Sequence, residues 1–205
     1  MKILKFGGTS VGSAENIRKV KEIIEQANDQ SVVVVSAMGG VTDKLIRAAT
    51  LAAEGNATYV DIIDEIIGQH EDTIARLFDE EKTREAVREF VAPIFDELRS
   101  IHKGVFLIRE LSPKSLESIS GIGERLSSRI IAHFIGARWF DSRQYIKTYI
   151  EQGRNQVDIE QTNELLTNIQ PEIGSLALFP GFVSSNRKGE TTTLGRGGSD
   201  YTASL

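Results

Sequence analysis

The feature that most constrains this chain is a run of four valines, Val32 to Val35, in the segment SVVVVSA. Successive side chains of a strand point to opposite faces of its sheet. A strand that is apolar at every position therefore needs cover on both faces, as in the centre of a parallel sheet. A shorter apolar run, KILKF, is closed by Gly7 and Gly8 and reads as a first strand over residues 2–6. Between the two, Ile17, Val20, Ile23, Ile24 and Ala27 follow helical spacing behind Ser13, a candidate N-cap. Residues 1–35 thus read as a βαβ unit, whose crossover is almost always right-handed.

Residues 41–103 carry helical periodicity, as in Ile62, Ile63, Ile66 and Ile67, then Val87, Phe90, Val91, Ile94 and Leu98, and read as several consecutive helices. VFLI at 105–108 fits a short extended piece or a helix end equally well. The stretch from Ser112 to Gly136 reads as helix interrupted near Gly121 and Gly123. ARWFD reads as a strand, DIEQTNELLTNI as a helix, and SLALFPGFVSS with ETTTLG as a hairpin across NRKG. Strands alternating with helices predict an α/β fold with a mostly parallel sheet covered on both faces.

With 205 residues there is room for one such domain and little more. A net charge of −5 argues against a broad nucleic-acid or anionic-membrane footprint. The absence of cysteine removes disulfides, thiolate nucleophiles and Cys-type zinc sites. The apolar start is broken at Lys5 and Gly7, unlike a signal peptide, and no apolar run reaches the roughly 20 residues that span a bilayer. A cytoplasmic protein is the expectation. His70, His102 and His133 lie on helices without metal-ligand spacing and read as surface or core histidines; Trp139 and Phe140 read as core.

Ligands of open parallel sheets bind beyond the carboxyl ends of the strands, and three glycine-rich segments stand there. In KFGGTS, Gly7 and Gly8 free the backbone N–H groups for an anion, Lys5 adds a charge, and Thr9 and Ser10 add hydroxyls. The same pair also suits a plain tight turn with Lys5 in solvent, and Walker spacing is absent. SAMGGVTD follows the valine strand with Ser36, Gly39, Gly40 and Thr42; its bland alternative is helix capping by Thr42 or Asp43. GRGGSD places Gly197, Gly198, Ser199 and Asp200 at a helix start behind Arg196, whose guanidinium suits a carboxylate or phosphate. Capping alone would account for Ser199 or Asp200. In GIGERLSS, Glu124 and Arg125 are either a solvated or salt-bridged pair, or Glu124 faces the sheet edge to receive an ammonium group. Together these groups suit an amino acid and a phosphate donor, and so phosphoryl transfer to a carboxylate.

KFGGTSV, SAMGGVTDKL, GERLSS and PGFVSSNRKGETTTLGRGGSDYTA, in this order, resemble the signature segments of aspartokinases in the amino-acid kinase superfamily. The resemblance implies a three-layer α/β/α sandwich with a mainly parallel central sheet. It implies conversion of ATP and L-aspartate to ADP and 4-phospho-L-aspartate, the first committed step toward lysine, methionine, threonine and isoleucine. Mg²⁺ would be bound through the ATP phosphates, and the full-length enzyme would be a homo-oligomer. By motif position, Lys5 and Asp200 are the catalytic pair. Gly7, Gly8, Thr9, Gly197 and Gly198 would contact phosphate. Ser36, Thr42 and Ser199 would contact aspartate, Glu124 its α-amino group and Arg196 its α-carboxylate. Aspartokinases continue with adenine and ribose contacts and regulatory ACT domains that have no counterpart here. The expectation is therefore an amino-terminal, aspartate-binding portion over 1–205, helix-rich at about 41–135, its sheet truncated, and inactive alone. Residues 50–115 are similar to the aspartokinase part of bifunctional aspartokinase–homoserine dehydrogenases. The competing expectations are a non-catalytic aspartate-binding module and another amino-acid kinase such as a glutamate 5-kinase.

Overall fold

The computed structural model describes residues 1–27 and 29–205. Strand β1 (Lys2–Phe6), helix α1 (Ala14–Gln26) and strand β2 (Ser31–Val35) form the expected βαβ unit. Ser13 caps α1, its hydroxyl accepting the Asn16 N–H at 3.3 Å. Five helices follow: α2 (Val41–Ala53), α3 (Tyr59–Leu77), α4 (Glu81–Ile108), α5 (Pro113–Ser120) and α6 (Ile122–Ile135). Then come β3 (Arg138–Trp139), α7 (Ser142–Tyr145), β4 (Lys147–Glu151), β5 (Arg154–Val157) and α8 (Ile159–Ile169). The chain closes with β6 (Leu176–Pro180), β7 (Val183–Asn186), β8 (Thr191–Thr193) and α9 (Gly198–Ser204). No helix among the described residues is long and apolar enough to cross a membrane.

The first sheet has the order β1-β2-β6-β3 and is parallel throughout. The valine run lies inside it and is divided as its composition requires. Val33 and Val35 belong to the large core under α1–α6, while Val34 belongs to a smaller cluster with Phe140, Ile169, Ile173, Ala177 and Phe179 on the other face. The large core is filled by Ile17, Leu45, Ile66, Ile94, Leu98, Ile122, Leu126 and Ile130, all fully enclosed.

The strands do not form one sheet as expected. A second, mixed sheet runs β5-β4-β7-β8, with β4 parallel to β7 and the other two pairs antiparallel. Its β4–β5 hairpin is absent from the sequence expectation because KTYIE and RNQV present Tyr149 and Ile150 to solvent, so no apolar alternation marks them. The sequence signal that remains is the Gln152–Gly153 turn, both residues at positive φ. SLALFPGFVSS is two strands rather than one: the chain leaves the first sheet at Pro180, turns at Gly181–Phe182, and enters the second at Val183. The expected NRKG hairpin is β7–β8. VFLI is the end of α4, stopped where Arg109 adopts φ 54°. The interruption in GIG falls at Gly121; Gly123 lies inside α6. His70 and His102 are core residues, each bonded through Nδ1 to a carbonyl one helical turn back, whereas His133 is exposed. Phe140 is core, but Trp139 is only half-buried.

Candidate functional site

Parallel pairing sets Phe6 beside Val35 and Val35 beside Pro180, so β1, β2 and β6 end together. Their next residues, Gly7, Ser36 and Gly181, form one rim. Lys5, Ser36, Thr42, Glu124, Phe182, Gly195, Gly197, Gly198, Ser199 and Asp200 line a cavity of about 330 Å³ at this rim. A second cavity of about 260 Å³ adjoins it, sharing Ser36, Thr42 and Glu124 and adding Gly8, Met38 to Gly40, and Asp43.

The Lys5 ammonium meets the Asp200 carboxylate at 2.9 Å, so Lys5 is held inside the site by a residue 195 positions away (200 − 5). Ser36 donates its hydroxyl proton to Ser199 Oγ at 3.0 Å, joining the ends of β2 and α9. Neither Ser199 nor Asp200 caps its helix, and neither Thr42 nor Asp43 caps α2; the N-cap positions are held by Gly197 and Gly40 without a side-chain bond. Among the described residues the N–H groups of Gly7, Gly8 and Thr9 donate to no backbone carbonyl; Gly8 lines the second cavity, whereas Thr9 lines a separate one with Asn16 and Lys19. The Gly198 N–H is donated to Gly195 O at 3.0 Å.

Glu124 is 5% exposed. One of its carboxylate oxygens, Oε2, has no partner among the described residues. Burial pushes its pKa up to about 7, against the opposing pull of the Ala37 N–H and its own N–H. A buried acid with a free oxygen beside two cavities can, once ionised, accept a hydrogen bond from a cationic donor placed there. The raised folded pKa means that, between about 4.5 and 7, the native state holds a proton that the unfolded chain has released. Glu124's contribution to stability is therefore complete below about 4.5 and lost as pH rises through about 7. Urea melts of Glu124→Gln compared with the parent at pH 5 and pH 8 are expected to show the parent losing stability relative to the variant at the higher pH.

Arg196 stands apart from this set. It is exposed, makes no ion pair among the described residues, and lines a larger cavity of about 720 Å³ between α5, the β4–β5 hairpin and β8. Gly195 is common to that cavity and the one containing Glu124, so Arg196 lies in a cavity next to the site and does not line the site itself.

Phe182 is the lining residue that the sequence expectation missed. It sits at φ 66°, uncommon for a residue with a Cβ. Two bonds hold it there: its N–H donates to Thr202 Oγ1 at 3.1 Å, and its carbonyl accepts the Leu194 N–H at 2.9 Å. The available signal was Pro-Gly inside an otherwise apolar run. Gly181 before it is required by contact: a Cβ there would lie 2.6 Å from both Ser199 Cβ and Oγ and 2.9 Å from its Cα. Gly181→Ala is expected to destabilise the fold by about 1–3 kcal/mol and to displace Ser199 from Ser36, measurable by urea denaturation and by the amide shifts of both residues.

A parallel α/β core thus brings a lysine–aspartate pair and a buried carboxyl together at the carboxyl ends of its strands. The sequence matches the amino acid kinase family over residues 1–205, and the chain belongs to that family. Its relatives within the family include aspartokinases. It is 35% identical over 208 residues to an aspartokinase of Chlamydia trachomatis, covering 99% of this chain and 44% of the relative. It is 30% identical over 210 residues to the lysine-sensitive aspartokinase 3 of Escherichia coli, covering 99% of this chain and 45% of the relative. The crystal structure of E. coli aspartokinase III with aspartate and ADP superposes with a TM-score of 0.87 at 29% identity, over 98% of this chain and 45% of that one. The chain thus spans less than half the length of the relatives it matches.

Proposed function

We propose that this chain forms the aspartate-binding, phosphoryl-accepting part of an aspartate kinase, which converts ATP and L-aspartate to ADP and 4-phospho-L-aspartate in the cytoplasm. The observation that carries the proposal is the buried Glu124 carboxyl, with one free oxygen, in the same cavity as the Lys5–Asp200 pair. One end of the cavity suits an ammonium group and the other a transferring phosphoryl group.

In this reading the α-ammonium of aspartate pairs with Glu124. Ser36, Thr42 and Ser199 orient the substrate, and Arg196 reaches from the neighbouring cavity to its α-carboxylate. The β-carboxylate then faces Lys5. It is already ionised at neutral pH, so no residue has to accept a proton. Lys5 neutralises charge that spreads over the phosphoryl oxygens, and Asp200 fixes the direction of the ammonium. The free N–H groups of Gly7, Gly8 and Thr9, together with Gly197, fit the phosphates of ATP. No three His, Asp or Glu side chains converge on a metal position among the described residues. In this reading Mg²⁺ enters with the nucleotide, held mainly by the ATP phosphates as is usual for this ion.

Calorimetric titration of the chain with L-aspartate, L-glutamate and succinate tests the assignment. L-aspartate should bind tightest, with proton release below pH 7 as Glu124 ionises to meet the ammonium. Succinate, which lacks the ammonium, binding as tightly as aspartate would overturn the role of Glu124.

A further inference from the structure

The residue after Glu124 belongs to a different set of contacts. Arg125 is buried, and its guanidinium donates two parallel hydrogen bonds of 2.7 Å to Glu97 of α4. Burial alone would raise the Glu97 pKa, but the hydrogen bonds and charge of Arg125 outweigh it and hold this carboxyl below its usual range. One turn further along α6, Arg129 stands 4.5 Å from the ring centres of both Phe90 and Trp139. The Trp139 indole donates to Ser128 Oγ at 2.9 Å. The Asp141–Arg143 pair at the start of α7 also acts on Glu97.

The other side of α6 rests on the end of β2 through small residues. A Cβ on Gly123 would lie 2.7 Å from Ala37 Cβ, so helix and strand end are in close contact. Ser127 donates to Ser36 O at 2.8 Å. Elsewhere α6 is enclosed by apolar packing, with Ile122, Leu126 and Ile130 in the large core; such packing is non-directional and sets the roll of a helix about its axis less sharply than a hydrogen bond does. A side chain reaches roughly 6 Å from the axis, so a roll of about 10° carries a carboxylate about 1 Å. Misplacement on that scale is enough to spoil a binding or catalytic geometry. The Arg125–Glu97 fork supplies a second, directional line of contact on α4. Glu97 is only half-buried, and an ion pair at such a site adds little net stability, so direction is the main thing this one contributes.

We infer that Arg125 is a positioning residue: its two-pronged bond to Glu97 fixes the roll of α6 and thereby aims the Glu124 carboxylate into the cavity. The link to substrate rests on the reading of Glu124 as the ammonium acceptor; the link to Glu124 itself does not. Loosening the pair lets water reach Glu124, which lowers its pKa toward the ordinary carboxylate range. Loss of the nearby arginine charge alone would push it the other way, so the direction of the change separates positioning from direct electrostatics.

The test follows the Glu124 carboxyl by ¹³C NMR in the parent chain, Arg125→Met, Glu97→Gln and Arg125→Lys, with urea stability and L-aspartate affinity measured alongside. In Arg125→Met and Glu97→Gln the titration midpoint is expected to fall by at least about one pH unit, and aspartate affinity to drop about tenfold or more. Arg125→Lys, which keeps one charged donor, should fall between. An unchanged or raised midpoint in folded variants overturns the inference, whatever aspartate does. A lowered midpoint in a chain that never binds aspartate upholds the positioning role and overturns the substrate reading instead. Should Arg125→Met fail to fold, Arg125→Lys decides, because it keeps the charge and a lowered midpoint there reports positioning alone; in Glu97→Gln the loss of a negative charge by itself also lowers the midpoint.

Discussion

Lys5→Ala is expected to lower the turnover of aspartate phosphorylation by at least about 10²-fold, the loss typical of one preorganised electrostatic group. The assay belongs in whatever length of polypeptide containing these residues supports the reaction, with phosphoaspartate trapped as the hydroxamate. The size of the effect follows from where Lys5 sits. It is the penultimate residue of β1, partly shielded, and its ammonium is fixed 2.9 Å from Asp200. A charge that needs no reorganisation stabilises the phosphoryl oxygens most as their charge spreads in the transition state, so kcat should fall much more than either substrate's KM rises. A variant with near-normal kcat would reduce Lys5 to a structural partner of Asp200.

Glu124→Gln should weaken L-aspartate binding by about 30-fold or more, while leaving nucleotide affinity within a few-fold. The lower bound follows from the roughly 2–5 kcal/mol typical of removing one partner of a buried charged pair, at 1.4 kcal/mol per tenfold. Gln keeps the size and most of the packing of Glu, so the loss reports charge rather than a cavity. The same substitution should abolish the proton release that accompanies aspartate binding below pH 7, because the titrating group is gone. Equal losses for aspartate and succinate in this variant would show that Glu124 does not distinguish the ammonium group, and calorimetry of the two ligands reads this directly.

Some of this was legible in the chain and some was not, for reasons that differ residue by residue. Val32 to Val35 could be read because burial on both faces demands apolar side chains at every position, and the fold divides those valines between two cores. Ser13 could be read because capping is a contact over three residues, and it is made. The β4–β5 hairpin could not, because its exposed Tyr149 and Ile150 break the alternation that marks a half-buried strand. The alternatives at Thr42, Ser199 and Asp200 stayed open because capping and ligand contact call for the same side chains.

What the sequence determined by itself is therefore local: the strand–helix–strand start, the glycine-rich segments after the strands, and, through four ordered segments, the resemblance to aspartokinases. Tertiary structure decided which of these segments meet. It paired Lys5 with Asp200, joined Ser36 to Ser199, and left Arg196 lining a neighbouring cavity. It also decided which half of the Glu124–Arg125 pair faces the cavity and which is held in an ion pair, turning one inward with a free oxygen and the other onto Glu97. The physical reason is that adjacent residues on a helix point about 100° apart. Their surroundings are set by whatever the sheet and neighbouring helices bring to each side, and no local pattern records that.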